Sequence, residues 1–170
     1  HDLGHRAAGP WVDLDVAALG EADVRAALFG DDGAWSRAAG GTLLIHDVAD
    51  LGARAQAALQ EHLAHGPAPD RPRVVALTAL DLGAREAERH FRGDLYEALR
   101  GTSLQVPPLR AYAEDLPELL AHWVNRLVAA EGLPYRHFSV AAQNRLRHYE
   151  WPGNVAELVS LVRRLLALGD

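Results

Sequence analysis

The sequence predicts an α/β fold, a mostly parallel sheet flanked by helices, followed by a smaller all-helical part. Three observations carry this. Short apolar runs alternate with helical periodicities as far as about residue 111, the pattern of strand–helix–strand units. Beyond that point apolar residues recur only at helical spacing. A chain of 170 residues, 49% of them hydrophobic, is long enough for one domain with a small second subdomain. The expected division is residues 1–111 and 112–170.

PWVDLDVAAL (10–19) alternates apolar and polar residues and reads as a strand running into a helix. EADVRAALFG (21–30) has Val24, Ala27 and Leu28 at helical spacing and stops at Gly30. DDGAWSRAAGG reads as a loop. TLLIHDV is apolar enough for a strand buried on both faces. ADLGARAQAALQEHLAHG is an amphipathic helix with Leu51, Ala55, Ala58, Leu59 and Leu63 on one side. RVVALTAL is a second buried strand, AREAERHFRGDLYEALR one helix or two, and TSLQVPPL a strand cut short by Pro107 and Pro108. From Leu116 to Val128 the spacing is helical. SVAAQNRLRHY, with Ser139 as N-cap, and GNVAELVSLVRRLLALG make two further helices.

The net charge of −6 argues against a broad basic nucleic-acid surface on this segment, so DNA contact is expected only through a separate module. With no cysteine, there is neither a disulfide framework nor a thiolate metal site. No apolar stretch spans a bilayer and no signal-peptide pattern opens the chain, so the expected compartment is the cytoplasm. The first residue is His, which suggests a piece of a longer protein.

GGTLLIHDVADL, RVVALTALDL, HFRGDLYEALR, VPPLRAYAEDLPELLAHW and YEWPGNVAELVSLVRRLL together resemble the central AAA+ domain of bacterial enhancer-binding proteins, the sigma-54 activators of the nitrogen-regulator (NtrC) class. Their order and approximate spacing hold across nearly the whole chain. The resemblance implies a P-loop-type α/β core, its first strand and P-loop missing here, and a helical lid. In working members, ATP hydrolysis by a ring remodels sigma-54 RNA polymerase.

The family pattern ends the TLLI strand in Asp then Glu, to hold hydrated magnesium and to polarise the attacking water. This chain has His46 and Asp47. Imidazole is a poor ligand for a hard, oxygen-seeking ion. The polar sensor position after the next strand holds Ala79, leaving Thr78 beside it. Of two family arginine fingers, Arg92 matches the first, Ala98 stands at the second, and Arg100 is a weak substitute. The lid arginine is replaced by Ala156, while Trp151, Pro152, Gly153 and Asn154 survive, Asn154 expected to cap the last helix. No GAFTGA motif stands between Gly30 and Gly40, where the loop is too short for the family's protruding insert. Trp35 in it is expected to fold onto the surface.

The residual nucleotide cleft carried over from the family comprises His46, Asp47, Thr78, Gly153 and Asn154. The resulting expectation is a degenerate AAA+ domain that self-associates through the AAA+ interface and relays a signal for transcription control, without ATP hydrolysis, sigma-54 contact or a resident metal. ATP and magnesium enter only if a P-loop precedes His1. Two other readings stay open: a slow ATPase using Asp47, and a cyclic-dinucleotide receptor built around His46, Asp47 and Arg92. His1 with His5 and His62 with His65 have helical spacing but no accompanying carboxylate, and read as solvated helix faces. Arg145, Arg147, Arg163 and Arg164 read as helix-surface charge.

Overall fold

The computed structural model describes residues 5–66 and 68–168. Packing divides the chain into two units, residues 1–103 and 104–170.

The first unit is a three-stranded parallel sheet in the order β1 (Trp11–Asp15), β2 (Thr42–His46), β3 (Arg73–Ala76). Val12 lies opposite Leu43 and Leu14 opposite Ile45 across β1 and β2, and Leu43 and Ile45 lie opposite Val74 and Ala76 of β3. In parallel register these six share one face, and that face builds the core. Helices α1 (Glu21–Phe29), α2 (Ala34–Arg37), α3 (Ala53–Ala64), α4 (Leu82–Ala87) and α5 (Gly93–Leu99) complete the unit. Leu28, Leu43, Ile45, Leu59 and Leu95 are fully enclosed in its core. Gly41 sets the start of β2. A side chain there would meet the Pro10 carbonyl oxygen at 1.9 Å, so only glycine lets the Thr42 N–H reach that oxygen at 2.8 Å.

Several expectations change. β1 runs into a turn, because the Asp15 carboxylate accepts from the Ala17 and Ala18 N–H groups and helix begins only at Glu21. DDGAWSRAAGG contains α2, held down by Ala34 and Ala38, both fully buried. β2 is enclosed only on its core face along its second half, Leu44 and His46 being half-buried. β3 is half-exposed rather than buried, and Leu77 beyond it is exposed. Leu51 precedes α3 and follows a 3-10 turn, Val48–Asp50. The AREAER–YEALR stretch makes two helices. TSLQVPPL forms no strand: Pro107 and Pro108 have no N–H to donate, and Leu104 and Val106 are each 89% exposed.

The second unit packs a 3-10 segment (Leu109–Asp115) with α6 (Leu116–Glu131), α7 (Val140–Arg147) and α8 (Asn154–Leu168). Leu109 packs with Leu116, Leu120, Leu158, Val162 and Leu166, which is why the division by packing falls before it rather than after residue 111. Ser139 caps α7 as expected, its hydroxyl accepting from the Ala142 N–H at 3.2 Å.

Candidate functional site

β2 delivers His46 to the C-terminal end of a parallel sheet, the end where ligands bind in folds of this kind. Its Nε2 lies 2.6 Å from Asp13 Oδ1 of β1, with both side chains partly open to solvent. Asp13 and His46 point to the face opposite the core, and the register puts them on neighbouring strands one diagonal step apart. The contact is a hydrogen bond from Nε2–H to carboxylate, and an ion pair once the ring is protonated.

Asp47 follows in the left-handed region, at φ 52° and ψ 45°, and the chain turns at once into the 3-10 segment. Asp is among the few non-glycine residues that visit this region readily. The next backbone N–H, from Val48, donates to the Leu77 carbonyl at 3.0 Å and ties the ends of β2 and β3 together. Thr78 therefore lies at the neighbouring strand end. Its hydroxyl is used locally, accepting from the Leu80 N–H at 2.9 Å. Ala79, beside it, has no polar side chain to contribute. The donor set at this strand end, an imidazole already held by Asp13 plus one carboxylate, does not fit hydrated magnesium.

The second feature of this unit is an open cleft of about 660 Å3, lined by the start of α3 and the segment from Glu86 to Gly93. Gln56 of α3 is buried and organises it. Its amide nitrogen donates to the carbonyls of Leu51 at 2.6 Å and His90 at 3.2 Å, and its amide oxygen accepts from the Arg92 N–H at 2.9 Å. The loop so stapled includes Arg89 at φ 60°, an unusual conformation for a long side chain.

Arg92 faces solvent and clasps Asp94 through Nε–Oδ1 at 3.0 Å and Nη2–Oδ2 at 2.6 Å. These side-chain hydrogen bonds are the main cause that holds the Asp94 carboxyl below its ordinary range and raises the Arg92 guanidinium. His90 pairs with Glu88 at 3.3 Å. Arg100 pairs with Glu97 at 2.9 Å, and Ala98 is exposed on α5.

In the second unit, Gly153 sits in the turn before α8 and Asn154 is the first residue of α8. The expectation that Asn154 caps α8 is corrected: Asn154 is left-handed at φ 51°, and its amide oxygen accepts instead from the Leu109 N–H at 2.9 Å. Glu157 supplies the reach-back, one oxygen accepting from the Gly153 N–H at 2.8 Å and the other from the Tyr149 hydroxyl at 3.0 Å. Trp151, 2% exposed, anchors the turn by donating from Nε1 to the Leu146 carbonyl at 3.0 Å. Ala156 is exposed in the first turn of α8.

Sequence reasoning placed the strand end and missed its partner. Asp13 read as one polar residue of an alternating strand, and nothing local joins it to His46. Gln56 was likewise invisible inside an amphipathic helix. His62 is not a solvated histidine: it stacks on Phe29 and meets Trp35 edge-on. His1 lies outside the described residues.

Residues 3–109 match the sigma-54 interaction domain family and residues 110–170 match an AAA+ ATPase lid domain. The chain is 36% identical to a DNA-binding transcriptional regulator NtrC of Azospirillum brasilense over 189 residues, covering 99% of this chain and 39% of that protein. It is 34% identical to the C4-dicarboxylate transport transcriptional regulatory protein DctD of Pseudomonas aeruginosa, covering 99% of this chain and 41% of the relative. The solved structure of NtrX from Brucella abortus in complex with ADP superposes with a TM-score of 0.90 at 30% identity, covering 98% of this chain and 41% of that one. The same protein in complex with ATP gives a TM-score of 0.90 at 29% identity, covering 98% of this chain and 42% of that one. The chain thus spans about two fifths of the length of these curated relatives.

Proposed function

The chain belongs to the sigma-54 interaction family, with its AAA+ lid, and from that premise we propose that it serves a bacterial transcription regulator as a self-associating relay module, without ATP hydrolysis or sigma-54 contact. The observation that carries this reading is the His46–Asp13 pair at 2.6 Å. It stands where the family pattern has a metal-holding carboxylate, and it occupies that position with an internal partner. Ala79, Ala98 and Ala156 support the same reading, because an alanine side chain neither senses a phosphate nor stabilises transition-state charge. The match to NtrC of Azospirillum brasilense runs over 189 residues where this whole chain has 170, and the Gly30–Gly41 connection is folded down onto α3. Both support the absence of a protruding polymerase-contacting insert. Self-association through the AAA+ interface, DNA contact through a separate module and a cytoplasmic site of action complete the proposal.

One observation favours a second reading, a nucleotide-binding domain. The Brucella abortus NtrX structures carry ADP and ATP, and Asp47 lies beside His46 at the strand end. The test is calorimetry with ATP and magnesium on the full-length regulator, together with phosphate release. The expected outcome is no turnover above background. Micromolar binding with turnover that disappears in Asp47→Ala overturns the relay reading and establishes the second. Light scattering of the same samples reads self-association, and a monomer at all concentrations removes that part of the proposal.

A further inference from the structure

Helix α8 carries two apolar stripes, and its own unit uses only one of them. Leu158, Val162 and Leu166 are fully buried in the helical core. Leu161, Leu165 and Leu168 follow one another at steps of four and three residues, so they line up along a neighbouring face of the helix. Leu161 is half-buried at the margin of the core, Leu165 is 40% exposed and Leu168 is 77% exposed. A single exposed leucine is ordinary. A stripe of them on a helix that already has its core face marks a surface for contact.

The charges beside the stripe narrow what fits it. The charged residues of α8 are Glu157, Arg163 and Arg164. Arg163 is engaged by Glu131 of α6, Nε to Oε1 at 3.0 Å. Arg164 meets no carboxylate among the described residues. Glu157 accepts from the Gly153 N–H and the Tyr149 hydroxyl, two neutral donors, so no cation cancels its charge there. Glu157 and Arg164 are seven residues apart, two turns of helix, and so border the stripe on the same side. Two copies of α8 laid parallel set Glu157 beside Glu157 and Arg164 beside Arg164. Laid antiparallel, with the crossing near Leu161, they set each Glu157 beside the other copy's Arg164, because like flanks meet in an antiparallel pair. The face is its own complement under a twofold axis. A partner of either single charge satisfies one of these groups and repels the other.

We propose that the Leu161–Leu165–Leu168 face of α8 is a contact between two copies of this chain, an antiparallel helix pair closed by two Glu157–Arg164 ion pairs. The stripe is short, well below the roughly 800 Å2 per partner of a stable complex, so the contact is weak alone and forms where copies are already concentrated. It is separate from the AAA+ interface of the proposed relay, and neither requires the other. It is also independent of whether any nucleotide binds at the β2 end.

The chain has no cysteine, so one introduced thiol carries one spin label. Ser160 and Ala167 are both exposed on α8. Labels on Ser160→Cys should lie close together across the crossing. Labels on Ala167→Cys should be farther apart by roughly 10 Å, since each residue advances ~1.5 Å along the helix in opposite directions in the two copies. Sedimentation gives the dimer Kd. Leu165→Ser with Leu168→Ser, both outside the core, should abolish the Ser160 distance and raise that Kd about ten-fold. Arg164→Glu sets like charges opposite Glu157 and should raise it about three-fold, a difference that high salt removes. Equal distances at the two labelled positions overturn the proposal, and so does an unchanged Kd in the leucine double variant. Association without any short distance at Ser160 also overturns it and leaves the AAA+ interface as the route of self-association.

Discussion

The two units use polar residues differently. Residues 1–103 hold sixteen Asp and Glu against ten Arg and so carry the whole net charge, whereas residues 104–170 hold seven of each. Both buried polar side chains among the described residues, Thr42 and Gln56, lie in the α/β unit. There polar groups pair with one another at the edges of a site: His46 with Asp13, Arg92 with Asp94, Gln56 with three backbone groups. In the helical unit the core is apolar, and polar groups hold one turn in shape, through Trp151, Asn154 and Glu157. The polar pairs of the first unit lie outside its apolar core, so they can change while that core stays closed. In the second, the turn that holds Gly153 is also the turn that closes the core, through the buried Trp151 and its bond to Leu146.

That contrast can be broken by substitution, beginning with the largest effect. Trp151→Ala removes a buried ring and its hydrogen bond to Leu146, and should cost about 3–5 kcal/mol in urea unfolding. If the helical unit has its own core, the lost exchange protection should concentrate in α6 and α8, and uniform loss across the strands would refute separate cores. Ile45→Ala is the mirror experiment in the α/β unit, at about 2–5 kcal/mol, with protection lost in β1–β3. Gln56→Ala should cost about 1–3 kcal/mol, because the Arg92 N–H loses its buried acceptor and two carbonyls lose a donor. Crystallography or exchange at Arg89–Gly93 should show that loop released, and an unchanged loop would show that Gln56 does not staple it.

The smallest effect is on titration. Asp94 is held below its ordinary range by Arg92, so the pair's stabilisation is present above the unfolded carboxylate value and is lost as pH falls through the lowered one. Carbon-13 NMR should show the Asp94 midpoint moving up toward an ordinary carboxylate in Arg92→Gln. No movement would mean that the clasp does not persist in solution.

The sequence made the scaffold legible because its signals are local. The TLLI run, the leucine spacing of α6 and the Ser139 cap each lie within one element, and each is where periodicity put it. The errors have physical causes too. SLQV alternates like a strand, but a strand needs a partner, and here two prolines follow it. The DDGAWSRAAGG stretch looks like loop until Ala34 and Ala38 are seen buried. The strand-end position of His46 and Asp47 was readable from pattern, but their surroundings were not. Asp13, Gln56 and His62 meet partners 27 to 36 residues away in sequence, as His46–Asp13 at a separation of 33 illustrates, and no window along the chain contains such pairs.

The backbone at Asp47 bears on which substitutions the end of β2 tolerates. Changing His46–Asp47 to an Asp–Glu pair looks like two small steps. The first, His46→Asp, sets a carboxylate against Asp13, whose Oδ1 now lies 2.6 Å from the imidazole, so two like charges would meet. The second, Asp47→Glu, places a longer side chain in a left-handed conformation at φ 52°, which Asp visits more readily, at a cost of about 1 kcal/mol. Neither substitution is neutral alone, and the first calls for a compensating change on another strand. Each neighbour thus acts as a pawl: Asp13 and the left-handed backbone at residue 47 both favour the pair that stands here over an Asp–Glu pair.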